Sequence, residues 1–155
     1  FLMIRRPPRS TRDSIRRQRQ MCIRDRCSKV SYEITGNMGV FQYCHCSRCR
    51  KFTGSAHASN LFVSPDQFNW LSGEDLVGRY DPVDTKYFAT CFCKNCGSSL
   101  PWLSKSGKVV IIPAGTLDED PGIKPTQNIF CGSRSAWYKD VSSLPEHDEM
   151  PPRKS

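Results

Sequence analysis

Apolar and polar residues alternate in several short stretches of this chain, and that alternation is typical of half-buried β-strands. In the first clear stretch, Val30, Tyr32 and Ile34 alternate with polar residues and are followed by a turn signal at Gly36. The same reading predicts further strands at residues 40–43, 58–63, 76–80, 86–92, 100–103, 109–113, 127–131 and 136–141. No heptad or internal repeat interrupts this series, so we expect a single β domain.

Helical signals in the chain are short. Residues 50–55 are expected to form a helical turn, and Ser64-Pro65-Asp66 has the composition of a helix start that lasts one turn. Residues 105–108 predict a hairpin turn between two strands. The sequence therefore predicts a small, mostly antiparallel β fold with short helical turns, and so many short strands call for zinc as an additional cross-link.

The positive charge is concentrated at the start of the chain. The chain has 155 residues and a net charge of +8, yet residues 1–26 hold nine Arg and two Asp. We expect this segment to be disordered, because it lacks an apolar stripe. A basic arm and a transit peptide are possible interpretations of this segment. Its amino-acid sequence, however, is similar to translated sequencing-adapter sequence, and we interpret the segment as foreign to the protein. The domain is then expected at residues 27–145, followed by a flexible tail at 146–155.

The remaining sequence excludes several classes of partner. Residues 27–155 are nearly neutral, so a nucleic-acid partner has no support outside the arginine-rich segment. No apolar run approaches twenty residues, which argues against a membrane partner. No apolar segment follows the first basic residues, so we expect no signal peptide and a reducing, cytoplasmic location. The oligomeric state cannot be predicted from these features.

The first cysteine cluster lies within six residues and consists of Cys44, Cys46 and Cys49. Three protein ligands and an open fourth position are typical of a catalytic zinc site. Three thiolates reduce the Lewis acidity of Zn²⁺, so this site suits a soft ligand such as a substrate thiol. The alternative is a closed site with Cys91 or Cys131 as the fourth ligand. His45 is expected not to bind the metal.

The second cysteine cluster is built on Cys93 and Cys96, a C-x-x-C half site followed by Gly97. Cys27 is the expected third ligand, and the fourth is left open between Asp25 and Cys22. A redox pair is the alternative, but no helix follows to lower a thiol pKa. We therefore predict a structural zinc site.

Several separated motifs carry a resemblance to a known family. They are C-x-x-V-x-Y-E-I-T-G from Cys27, C-H-C-S-x-C-R-K-x-T-G-S from Cys44, F-C-x-x-C-G-S-x-L from Phe92, G-T-L-D from Gly115, and I-F followed by A-W at 129–137. In this order they resemble the glutathione-dependent formaldehyde-activating enzymes, which share a domain with centromere protein V.

The resemblance implies a β-tent-like fold with two zinc ions. Cys44, Cys46 and Cys49 would hold the catalytic ion, and Cys27, Cys93 and Cys96 the structural one together with a Cys two residues before Cys27. This chain departs from the family by having Asp25 at that position, and by having Asn128 where many members place a His.

The implied activity is that of a carbon–sulfur lyase, which forms or cleaves S-hydroxymethylglutathione. Glutathione and a small aldehyde would be the partners. Arg48, Arg50 and Lys51 lie close enough to the first cluster to bind the carboxylates of glutathione, and a solvated basic turn is the alternative for at least one of them. Trp102 and Trp137 are expected in the core. The alternative function is a non-catalytic zinc scaffold for protein–protein interaction.

Overall fold

The computed structural model describes residues 20–151 and shows a mostly β fold. In this part of the chain the strands are β1 (Gln20–Arg24), β2 (Ser31–Thr35), β3 (Phe41–Cys44), β4 (Ala58–Val63), β5 (Phe68–Ser72), β6 (Val77–Tyr80), β7 (Thr90–Cys93), β8 (Ser99–Leu100), β9 (Trp102–Leu103), β10 (Val110–Pro113) and β11 (Gln127–Ile129). The α-helix is α1 (Ser47–Thr53). Short 3-10 turns lie at Pro65–Gln67, Glu74–Leu76, Ala114–Thr116, Cys131–Ser133 and Val141–Ser143.

The strands form three sheets with the orders β1-β2-β5, β11-β3-β4-β10-β9 and β6-β7-β8. Every pairing is antiparallel except that of β11 with β3. The predicted class, a mostly antiparallel β domain with short helical turns, is confirmed. The five-stranded sheet positions the first cysteine cluster, because β3 ends at Cys44.

The buried core contains side chains from all three sheets. Tyr32 of β2 is fully buried, packs its ring against Phe68 and Trp70 of β5, and shares a hydrogen bond of 2.9 Å with Thr116. Strand β10 has both faces buried, and its residues are therefore a continuous apolar run rather than an alternating one. This core holds the strand ends that carry the cysteines.

The prediction that residues 1–26 are disordered is wrong for residues 20–26. Strand β1 pairs with β2, and Met21 and Ile23 are each only 1% exposed opposite Ile34 and Tyr32. The arginine-rich composition conceals this period-two alternation, because the polar residues of β1 lie on its outer face. The domain therefore begins no later than residue 20, and the remaining part of that prediction, residues 1–19, lies outside the described residues.

The predicted strand at 136–141 is also wrong, because this stretch forms turns and Trp137 is 69% exposed. The expected core position of Trp102 is confirmed. The strand expected at 86–92 begins only at Thr90, and β5 was not predicted. Residues 58–63 form β4 as expected. An apolar stretch without burial partners does not become a strand, since side-chain packing decides strand formation.

The burial of β1 leads to a test of its contribution to stability. Replacing Ile23 by Ala is expected to lower the free energy of unfolding by about 2–5 kcal/mol, the usual effect of truncating a buried Ile. Cys22→Ser on the exposed face of the same strand is the matched control and should change stability by less than about 0.5 kcal/mol. Chemical denaturation of both variants measures the difference. Equal stability of the two variants would show that β1 does not pack on the domain.

Candidate metal and substrate site

The second cluster is assembled from two turns that are far apart in sequence. The turn between β1 and β2 carries Asp25 and Cys27, and the knuckle after β7 carries Cys93 and Cys96. Ligand atoms of these four residues all lie within 4.8 Å of one another. The Sγ atoms of Cys27 and Cys93 are 3.9 Å apart, and two sulfurs on one tetrahedral zinc lie about 3.8 Å apart. The group therefore fits a four-coordinate metal site.

Backbone hydrogen bonds hold both turns in place. Val30 donates its N–H to Asp25 Oδ1 at 3.1 Å, which leaves Oδ2 facing the sulfurs of Cys27 and Cys96 at 3.1 and 3.2 Å. In the knuckle, Gly97 donates its N–H to the carbonyl of Cys93 at 2.8 Å. Gly97 has a φ of 75°, a conformation that glycine adopts without strain.

Of the two residues left open as the fourth ligand, Asp25 lies in the group of possible metal donors and Cys22 does not. Cys22 is exposed on the outer face of β1 and is not part of the group. Burial opposes the charge of Asp25, but hydrogen bonds from the Cys93 and Cys27 thiols and from the Val30 N–H hold the pKa of its carboxyl well below its usual range. The bond to Asp25, together with burial, raises the pKa of the Cys93 thiol to about 11. The Asp25 carboxyl is thus charged, and its oxygen accepts hydrogen bonds from the Cys27 and Cys96 thiols.

The first cluster is built where β3 ends and α1 begins. Cys44 is the last residue of β3, Cys46 is the N-cap of α1, and Cys49 lies in the first turn of the helix. Their sulfurs lie within 4.8 Å of one another, and the Cys49 N–H donates to Cys46 Sγ at 3.4 Å. The helix starts at Ser47, before the predicted residues 50–55, because Cys46 caps it with sulfur in place of the usual oxygen.

Within residues 20–151, the first cluster has no fourth donor from a His, Cys, Asp or Glu side chain. Cys91 is buried beside Arg79 in another sheet, and Cys131 is exposed and accepts from Arg134 at 3.4 Å. The ring of His45 is buried and bonds Asn128 Oδ1 through Nε2 at 3.0 Å. The alternative of a closed site with a fourth cysteine therefore has no geometric support in the described part of the chain.

One hydrogen bond couples the thiols of Cys44 and Cys49 in the first cluster. A hydrogen bond from Cys49 lowers the pKa of Cys44 to about 6, against the opposing effect of burial. The same bond, followed by burial, raises the pKa of Cys49 well above its usual range. Cys44 is therefore a thiolate at neutral pH, and such a ligand set attracts a soft divalent cation.

A cavity of about 560 Å³ opens beside the first cluster. All three thiols line it, and Asn60 of β4 points its amide at Cys49 Sγ at 4.0 Å. Phe88 and Ile129 pack against the cluster and also line the cavity. The cavity is large enough for a ligand of many atoms to reach the sulfurs.

The three basic residues that were predicted to bind substrate occupy different places. Arg48 lines the cavity and forms an ion pair of 2.8 Å with Asp84. Arg50 bonds the carbonyl of His45 and the hydroxyl of Ser135, and neither Arg50 nor Lys51 lines the cavity.

Two other charged residues, Asp84 and Lys86, line the cavity and were not predicted from the sequence. They lie in an irregular segment between β6 and β7, where no motif marks them as binding residues. Only the packing of this segment beside α1 brings them to the site.

Among residues 20–151, no helix is long and apolar enough to cross a membrane. No curated protein matches the chain significantly. A crystal structure of a Rhodobacter sphaeroides protein is similar, with 18% identity, a TM-score of 0.53 and coverage of 68% of this chain and 92% of that chain, and it shows a shared fold. The profile of the glutathione-dependent formaldehyde-activating enzymes matches residues 20–133, which include both cysteine clusters. The chain therefore belongs to the glutathione-dependent formaldehyde-activating enzyme family.

Proposed function

We propose that this protein is a zinc-dependent carbon–sulfur lyase that forms or cleaves adducts of glutathione with an aldehyde, S-hydroxymethylglutathione in the simplest case. One observation carries the proposal. The first cluster offers three sulfurs without a fourth side-chain donor in the described part of the chain, and it opens into a cavity of about 560 Å³. A non-catalytic zinc scaffold would require neither an open coordination position nor a cavity beside it.

We further propose two zinc ions with different roles. The second cluster has four donors, as structural sites do, and the first has three, as catalytic sites do. When bound at the first cluster, zinc supplies an open coordination position that holds a further sulfur ligand as its thiolate. Cys44, Cys46 and Cys49 are the residues that would hold this ion.

Polar residues of the cavity have roles in binding and orientation. The Asn60 amide supports Cys49, and Arg48 and Lys86 supply positive charge for the carboxylates of glutathione. In the reaction a bond forms between the glutathione sulfur and the carbonyl carbon, and the thiol proton ends on the carbonyl oxygen. Cleavage runs through the same changes in reverse and needs no further reactant.

A reducing compartment suits this chemistry. All nine cysteines of the chain are free thiols. Because oxidation would remove the ligands of both clusters, we propose that the protein acts in the cytoplasm, where thiols are kept reduced.

Replacing one ligand in each cluster should separate the two roles. Cys49→Ser is expected to remove one zinc and the activity but leave the domain folded, because all ligands of the first cluster lie within six residues. Cys96→Ser should give an insoluble or molten protein, because its cluster joins segments 66 residues apart and a structural zinc contributes on the order of 10 kcal/mol. Metal analysis, thermal unfolding and exchange NMR between free and adduct glutathione measure these outcomes.

Cobalt substitution tests the scaffold alternative. Glutathione should change the cobalt–thiolate absorption of the wild type as a fourth sulfur enters the first cluster. An unchanged spectrum that already shows four protein sulfurs at this cluster would refute the lyase proposal and support the scaffold. A folded, fully active Cys49→Ser variant would refute it as well.

Asp25 makes the second cluster a test of ligand chemistry. Asp25→Cys should hold zinc more tightly against a chelator, because a thiolate suits Zn²⁺ better than one carboxylate oxygen. Asp25→Ala should release zinc more readily and lower the unfolding midpoint. Chelator competition followed by absorbance measures both variants. Unchanged zinc retention in Asp25→Ala would show that Asp25 is not a ligand.

The ion pair of Arg48 with Asp84 should weaken glutathione binding. Asp84→Asn frees the Arg48 guanidinium for a substrate carboxylate, so the KM for glutathione is expected to fall several-fold with little change in kcat. The matched control is Asp81→Asn, which breaks the similar pair with Arg79 outside the cavity and should leave KM unchanged. Steady-state kinetics measure the KM for glutathione in both variants. An equal KM would show that Arg48 does not bind the substrate.

A further inference from the structure

One face of the five-stranded sheet forms a wall of the cavity, and its polarity changes with distance from the cysteines. Gln42 and Asn60 are directly opposite on β3 and β4 and form a polar row next to the first cluster. The next row, about 7 Å further along the strands, consists of Phe62, Ile111 and Trp102 on β4, β10 and β9. The wall is therefore polar near the amides and apolar beyond them.

The apolar surface of the cavity also reaches the reactive sulfurs. Phe88 packs against the first cluster, and its ring contacts the ring of Trp102 edge-on, with the centroids 5.5 Å apart. Trp102 in turn lies opposite Ile111. A continuous hydrocarbon surface thus extends from the sulfurs to the far row of the sheet.

Two aromatic rings stand at the rim of this cavity. Tyr87 and Phe130 both line it, and each is 62% exposed. Phe130 has a φ of 55°, in the left-handed region that a bulky residue rarely adopts. Such a conformation is kept where the surroundings impose it, and these places are often binding sites.

Formaldehyde has no apolar group that could contact the apolar surface of the cavity. Its carbonyl carbon carries only hydrogen, and glutathione itself is polar and charged. We propose that the preferred substrates are adducts of glutathione with aldehydes that carry an alkyl or aryl group of several carbons, and that this group lies against Phe88, Trp102 and the rim aromatics. The inference rests on the proposed function. The reaction is unchanged: the sulfur bonds the carbonyl carbon, the thiol proton ends on its oxygen, and the substituent takes no part.

Binding of unreactive thioethers tests the substituent independently of turnover. The probes are S-methylglutathione, S-hexylglutathione and S-benzylglutathione, titrated into the full-length zinc-loaded protein by calorimetry. Burial of two methylene groups is enough for about a tenfold gain in affinity, so the hexyl and benzyl compounds should bind at least about tenfold more tightly than the methyl compound. Equal affinities would overturn the inference.

Substitutions at the rim test whether the gain in affinity for S-hexylglutathione arises in this cavity. Phe130→Ala and Tyr87→Ala should each reduce the hexyl-to-methyl affinity ratio several-fold. Tyr80→Ala is the matched control, because Tyr80 is also 62% exposed and does not line the cavity. A ratio that neither rim variant changes, or that the control changes equally, would overturn the inference.

Turnover separates the inference from the proposed function. The adducts of glutathione with formaldehyde and with hexanal are compared by kcat/KM. Turnover of both without preference for the hexanal adduct would leave the lyase proposal standing and overturn the inference. Tight binding of S-hexylglutathione without turnover of either adduct would refute the lyase activity while confirming that the cavity accepts an apolar thioether.

Discussion

The contact between Asp25 and the Cys93–Cys96 knuckle links two turns of the domain that are far apart in sequence. One oxygen of the carboxylate accepts the Val30 N–H within its own turn, and the other lies 3.2 Å from the sulfur of Cys96, 71 residues away in sequence. Closing so long a loop costs conformational entropy, which a cation bound by these donors can offset. Strand β1, which precedes Asp25, is held in the core by Met21 and Ile23. Core packing and the donor group therefore depend on the same turn.

The two clusters both rely on cysteine thiols but differ in how the chain assembles them. In the second, the donors come from separate turns and surround a common centre, so little space is left for another ligand. In the first, they come from one short segment and face a cavity on one side. The difference follows from chain connectivity, because a single strand-to-helix junction can reach only part of the coordination sphere of an ion. The capping of α1 by Cys46 keeps that junction in place.

The five-stranded sheet places the first cluster and the wall of the cavity side by side. Strand β3 delivers Cys44, and its neighbours present the amide row and the apolar row to the same cavity. The helix contributes the other two thiols and is tied to the C-terminal segment by Arg50, which bonds Ser135. Arg50, which the sequence suggests as a substrate ligand, is thus bonded to other residues of the fold and does not line the cavity. Arg48, two residues earlier, faces the cavity and is held by Asp84.

The two clusters and most strands are predictable from local sequence patterns, because C-x-C and C-x-x-C spacings and period-two alternation act over a few residues. Which further residue joins the second cluster depends on long-range packing. Asp25 lies with Cys27, Cys93 and Cys96 because the pairing of β1 with β2 places its turn beside the knuckle, and β1 itself is recognised only when Met21 and Ile23 meet the core. Trp137 is exposed, although its neighbourhood is apolar, because no element covers it. The cavity wall joins β3 and β4 to the β9–β10 hairpin, which is distant from them in sequence, and only the hydrogen-bonded register of these strands aligns them.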